Sequence, residues 1–166
     1  MDRLGQLKIM LHDALGQTAW HTFALLGEAD ILLPLSAIVA ILLWRLGRVS
    51  DALAWFASVS ICVMAVASLK FGLKDFEWTV YGHTFLTKSF PSGHVAMATA
   101  FWGGLALLTA RRWSLLLLIP IPIVALTVLV LWWHHTLDIA AGAAIAILSL
   151  APLVLRAPRR SLRSAF

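Results

Sequence analysis

Apolar residues run along this chain in blocks of about twenty, separated by short polar stretches. Five blocks stand out, at 29–46 (ADILLPLSAIVAILLWRL), 51–71, 92–110, 113–133 and 136–155, each ending in a charge, a Pro or a Trp. A bilayer core about 30 Å thick needs roughly 20 apolar residues of helix, so each block predicts a transmembrane helix. The pattern changes over residues 1–25. There Leu4, Leu7, Leu11 and Leu15 fall on one helical stripe, with Met10 and Ala14 along its edge, among residues too polar to span. That arrangement predicts an interfacial helix. Asp2, Gly5 and Asp13 interrupt the place where a signal peptide would keep its apolar region, and no small-residue cleavage site stands out. The expected fold is all-α, a polytopic membrane helical bundle forming a single domain over 1–166. Its parts are an N-terminal interfacial helix (1–25), a bundle of about five transmembrane helices (26–156) and a basic cytoplasmic tail (157–166).

Composition strengthens the membrane reading, because 61% of the 166 residues are hydrophobic and only 13% are charged, far from the balance of a soluble domain. Trp20, Trp44, Trp78, Trp113, Trp132 and Trp133 sit near the expected span ends, where an amphipathic ring suits the headgroup region. Trp55 and Trp102 lie deeper and read as packing residues. The single cysteine, Cys62, falls mid-span, which excludes an internal disulfide and a CxxC-type metal site and leaves an apolar thiol.

The formal charge of +5 matters less than its distribution. Arg45, Arg48, Arg111, Arg112, Arg156, Arg159, Arg160 and Arg163 all follow odd-numbered spans and so share one face. The other face receives Arg3, Lys8, Lys70, Lys74 and Lys88, diluted by Asp2, Asp13, Glu28, Asp30, Asp75 and Glu77. The positive-inside rule makes the arginine face cytoplasmic. The expected location is integral to a membrane, a bacterial inner (plasma) membrane, with the opposite face towards the periplasm or exterior. Membrane lipids are the expected surroundings. Nucleic acid is not an expected partner, since no extended basic surface carries interleaved aromatics. Nothing in the sequence identifies a protein partner.

Three polar segments meet at the non-arginine face: SLKFGLKDFEW (68–78), SFPSGH (89–94) and WWHHTLDIAAG (132–142). Ionisable groups at membrane depth cost about 2.5–3.5 kcal/mol each on insertion scales, so three clusters at one depth imply a shared polar pocket. In SFPSGH, Pro91 suits a first helical turn, and Ser92 and Gly93 can leave amides free at a helix N-terminus, where an anion is favoured. Pro-Ser-Gly also serves as an ordinary helix start. His134 and Asp138 are spaced i, i+4, which lets a carboxylate hold the imidazole by one nitrogen and leaves the other to act as nucleophile or base. Such a pair can also be purely structural, but a second histidine, His94, stands beside the anion site. Two histidines there allow one to attack phosphorus and the other to protonate the departing oxygen. Lys70 and Lys74 can neutralise phosphate charge, or extend to the headgroups. Gly142 continues the His134–Asp138 face and allows close helix approach.

With Lys70, PSGH and His-x-x-x-Asp in this order, the stretch from Lys70 to Gly142 resembles the type 2 phosphatidic acid phosphatase superfamily. The LGEAD segment at 26–30 is similar to one that often opens an early span in that family. The resemblance implies a phosphatase-like domain that hydrolyses a lipid phosphate or diphosphate at the outer membrane face. It implies that His134 forms a phosphohistidine, Asp138 orients it, His94 is the general acid, and Lys70, Ser92 and Gly93 bind phosphate. It implies no metal and no other cofactor.

Two positions depart from the family pattern. Its first motif runs Lys, six residues, Arg-Pro, and counting from Lys70 arrives at Glu77 and Trp78. Its third motif has Ser-Arg before the His, where this chain has Thr127 and Val128. Two phosphate-binding arginines are therefore absent, and Lys74 or Lys88 is expected to compensate in part, as a point charge rather than a bidentate fork. The family also commonly has six spans. Two alternatives remain at this stage: a member that binds lipid phosphate or assists assembly without turnover, and a metal-dependent membrane hydrolase using His94, His134, His135 and Asp138.

Overall fold

The computed structural model describes residues 3–73, 77–80, 83–86, 90–109 and 111–156. Its order is α1 (Arg3–Ala24), a 3₁₀ turn (Leu25–Gly27), α2 (Ala29–Arg45), α3 (Val49–Gly72), β1 (Glu77–Val80), β2 (His83–Leu86), α4 (Gly93–Ala98), a π-helical turn (Thr99–Gly103), α5 (Gly104–Leu108), α6 (Arg111–Leu118), α7 (Pro120–Val130), α8 (Thr136–Ser149) and α9 (Ala151–Val154). The fold is an all-α membrane bundle. Four stretches, Gly5–Arg45, Val49–Gly72, Arg112–Val130 and Thr136–Val154, are long and apolar enough to cross a bilayer. The fifth apolar stretch, Gly93–Leu108, is shorter, and its helix starts at Gly93 with Ser92 as N-cap. Large apolar side chains such as Ile38, Leu42, Phe56, Met64, Leu115 and Leu148 face outwards, as lipid contact requires and water contact would not allow on this scale.

α2, α3, the α4–α5 stretch, α6–α7 and α8–α9 alternate in direction. The ends of α3 and α7 and the starts of α2, α4 and α8 therefore gather at one end of the bundle. Arg45, Arg48, Arg112 and Arg156 gather at the other, where the Arg48 Nε–H donates to Asp51 Oδ2 at 2.8 Å. One core cluster joins Leu32, Trp55, Met97, Phe101, Leu150 and Leu153. Trp55 is fully buried and donates its indole N–H to the Ser36 carbonyl at 2.9 Å, tying α3 to α2. A second cluster packs Val95 and Ala98 of α4 against Val124 and Val128 of α7. Small residues close a third contact, with Cys62 buried among Ala96, Ala100 and Ala146. In lipid, where apolar burial gives helices little reason to associate, such close approach supplies the packing.

Helix α1 differs from a simple surface helix in two respects. It breaks at Gly16 (φ 74°), a left-handed position open to glycine, and the Trp20 indole donates across the break to the Leu11 carbonyl at 3.1 Å. Trp20 is thereby buried. Leu7, Met10 and Leu15 of the leucine stripe are exposed, while Gly5 and Lys8 are buried, because the face towards α7 uses a small residue and a cation seated 4.1 Å over the Trp132 ring. The other departure from an all-helical chain is the antiparallel hairpin β1–β2, with Glu77 opposite Leu86 and Val80 opposite His83. Its sequence, EWTVYGHTFL, alternates β-branched and aromatic residues around a Gly, a strand pattern that the short polar link had concealed.

Candidate active site

The segments SFPSGH and HHTLD meet through their backbones before any side chain is considered. The Ser92 N–H donates to the Asp138 carbonyl at 3.0 Å. A Cβ on Gly142 would overlap the Ser92 carbonyl oxygen, so glycine is what lets α8 come this close to the start of α4. Ser92 is fully buried, and its hydroxyl accepts the Val95 N–H at 3.5 Å as the helix N-cap. Its amide and hydroxyl are thus engaged in joining the segments, which differs from the expectation of a free amide at this position. Gly93 and His94 occupy the first turn, where amides have no intrahelical acceptor by position.

His134 sits in the α7–α8 connection, not on the helix that the i, i+4 spacing suggests. Its N–H donates to the Val128 carbonyl at 3.2 Å, and that carbonyl also accepts from Trp133 at 3.1 Å. The helix begins at Thr136 with His135 as N-cap, and Asp138 Oδ2 accepts the His135 N–H at 2.9 Å in a capping box. The same carboxylate oxygen lies 3.5 Å from His134 Nδ1. That separation suits an ion pair, although Nδ1 makes no hydrogen bond among the described residues. Asp138 is buried and His134 nearly so, while His135 is exposed. The cap therefore separates two adjacent histidines, one beside the carboxylate and one outside.

His94 faces His134 with ring centroids 6.4 Å apart. Both line a cavity of about 890 Å³ together with Lys70, Gly93, Glu28 and Trp133. Lys70 approaches Gly93 closely, its Cε lying 3.8 Å from where a Cβ on Gly93 would stand. The remaining wall is apolar, formed by Leu33 of α2, Val63, Val66 and Ala67 of α3, and Met97. Leu33 and Val63 also line an adjoining 230 Å³ pocket farther along the α2–α3 groove. The structure thus brings together Lys70, Gly93, His94, His134 and Asp138, with Ser92 behind them. Lys74 and Lys88 lie outside the described residues. The positions where the family pattern has Ser-Arg are fully buried: Thr127 bonds the Ile123 carbonyl at 2.7 Å, and Val128 packs against Val95, Ala98 and Val124. Among the described residues, no three metal-ligating side chains are grouped as a metal site would require.

Sequence reasoning missed Glu28 and Trp133 as site residues. Glu28 Oε2 lies 2.9 Å from His94 Nε2, and Trp133 packs on His94 with ring centroids 5.4 Å apart. The available signal for Glu28 was its place at the start of a span on the same face as PSGH. For Trp133 it was adjacency to His134, masked by the ordinary role of Trp at a span end.

A family model described as the PAP2 superfamily matches residues 17–162. Among solved structures, the chain resembles the crystal structure of Aquifex aeolicus LpxE with a TM-score of 0.65 and 21% identity, covering 90% of this chain and 93% of that one. At that identity the likeness speaks for the fold. A search of curated proteins gives no match.

Proposed function

Since the chain belongs to the PAP2 superfamily, we propose that it hydrolyses a lipid phosphate or diphosphate through a phosphohistidine on His134. The observation that carries this reading is one cavity with two chemical characters. Two imidazoles and a lysine converge at its polar end, and its apolar walls continue along the outward-facing groove between α2 and α3. A phosphate headgroup suits the first part and a hydrocarbon tail the second.

With Asp138 beside Nδ1, the attacking atom of His134 is Nε2. It forms a bond to phosphorus as the bond to the leaving oxygen breaks, and His94 gives that oxygen a proton. The 6.4 Å ring separation leaves room for a phosphoryl group approached from one side and left from the other. In the second half, His94 takes a proton from water, the resulting hydroxide attacks phosphorus, and phosphate leaves His134 free. Lys70 and the first-turn amides of Gly93 and His94 hold the phosphoryl oxygens. The arginine distribution supports an outer-face position for this end of the bundle, with α1 along the interface and its exposed leucines towards lipid.

A second reading is a lipid-phosphate binder without turnover. The burial of Thr127 and Val128 favours it, because it leaves no cation where the family pattern has one. Purified protein is to be assayed for phosphate release from phosphatidic acid, phosphatidylglycerol phosphate, a polyprenyl diphosphate and a lipid A phosphate, with and without chelator. Release that persists in chelator and disappears in His134→Ala supports hydrolysis. Binding without release from any of them supports the second reading.

A further inference from the structure

Among the carboxylates of the described residues, Glu28 combines close contact with a histidine and a place in the cavity. We propose that Glu28 is a positioning residue for the general acid, holding one nitrogen of His94 so that the other carries the transferable proton. This rests on the hydrolase reading above. Four observations place Glu28. The Trp102 indole donates to the Leu26 carbonyl at 2.9 Å, fastening the 3₁₀ turn to the π-helical turn. Gly27 packs so tightly that a Cβ would lie 2.7 Å from both the His94 carbonyl oxygen and Val124 Cγ1. Glu28 follows as the N-cap of α2 with an extended backbone (ψ 124°), and its Oε2 meets His94 Nε2 at 2.9 Å. The chain thus anchors Leu26 to the π-helical turn and Gly27 against α4 and α7, and delivers Glu28 to the histidine.

A carboxylate only accepts hydrogen bonds, so His94 Nε2 carries the hydrogen and donates it to Glu28. The proton that leaves His94 is then the one on Nδ1. Charge balance is simple: as His134 Nε2 bonds to phosphorus, the Nδ1 proton passes to the leaving oxygen, and the Nε2 hydrogen stays with Glu28. His94 ends neutral and ready to take a proton from water at Nδ1. The site then contains two imidazole–carboxylate pairs of opposite sense, Asp138 at Nδ1 of the nucleophile and Glu28 at Nε2 of the acid. Lys70 lines the same cavity, and His21 of α1 lies across Trp133, their ring centroids 5.3 Å apart.

The test uses two probes with one tail and different leaving groups, farnesyl phosphate and farnesyl diphosphate. The monophosphate expels an alkoxide that needs the proton, whereas the diphosphate expels a phosphate ester that needs it less. Glu28→Gln keeps the shape and removes the charge. It is expected to lower kcat on the monophosphate at least about tenfold with KM little changed, and to lower it several-fold less on the diphosphate. His94→Ala should show the same selectivity, and Glu28→Gln should cost less than about twofold more in that background, since it acts only through His94. Should the Gln variant not elute as folded protein from detergent gel filtration, Glu28→Asp, which withdraws the carboxylate by one methylene, supplies the same comparison. Equal losses on both probes, or losses that multiply with His94→Ala, overturn the role of Glu28 while leaving the hydrolase reading intact. A parent protein inactive on both probes and on the lipid panel overturns both.

Discussion

At one end of the bundle His94 and His134 each face a carboxylate inside a cavity, whereas at the other Arg45 and Arg112 lie exposed. Both ends belong to the same short helices, and both carry charge. They differ in what the charge costs. A buried ionisable group at membrane depth needs a partner, and the partners here are provided by helix starts: Asp138 by the capping box of α8, Glu28 by the N-cap of α2. At the far end Arg48 pairs with Asp51, while the exposed Arg45 and Arg112 sit where headgroups and water can supply the partner, and the number of arginines is a topology signal. The lesson is that polar residues in this chain serve chemistry where their geometry is fixed by backbone, and topology where it is not.

Five substitutions sharpen the comparison. His134→Ala should lower turnover on the order of a thousandfold or more, as loss of a nucleophile does, while His135→Ala should keep most of it, because the cap leaves position 135 outside. Phosphate release from the lipid panel reads both, and equal loss at the two positions would contradict the assignment. Lys70→Ala removes a cation from the cavity end proposed to hold phosphate, with an expected loss of about ten- to a hundredfold in kcat/KM, equivalent to roughly 1.5–3 kcal/mol. A change under twofold would remove Lys70 from the phosphate site. Gly142→Ala drives a methyl group into the Ser92 carbonyl and should cost about 1–3 kcal/mol of stability, seen as a lower unfolding temperature in detergent. At the far end, Arg112→Ala should change stability by less than about 0.5 kcal/mol and activity by less than twofold, the range of an exposed charge. A large activity loss there would break the division between the two ends.

Much of this was legible in the sequence, for reasons that differ by region. The spans followed from block length, and His94, His134 and Asp138 were visible as rare polar residues at one depth. The i, i+4 spacing named the right pair but the wrong geometry, since His134 precedes the helix and Asp138 reaches it through the cap. Ser92 was readable as a helix start, yet its amide is taken by the Asp138 carbonyl, a contact between residues 46 positions apart that no local pattern encodes. Glu28 was hidden for the same reason, lying 66 positions from His94. The fold of α1 was half legible: its leucine stripe marked the exposed face, while the face packed on α7 rests on Gly5 and Lys8, which a hydrophobicity pattern discounts.

The central claim is that phosphorus passes through His134. Purified protein is to be mixed with a lipid phosphate carrying ³²P in the phosphoryl group, quenched in alkali within the first turnovers and separated from lipid. Label should remain on the chain, resist base, be released by mild acid and be absent from His134→Ala. A parent protein that turns over substrate without acquiring such label, or a His134→Ala protein that still acquires it, would contradict the account.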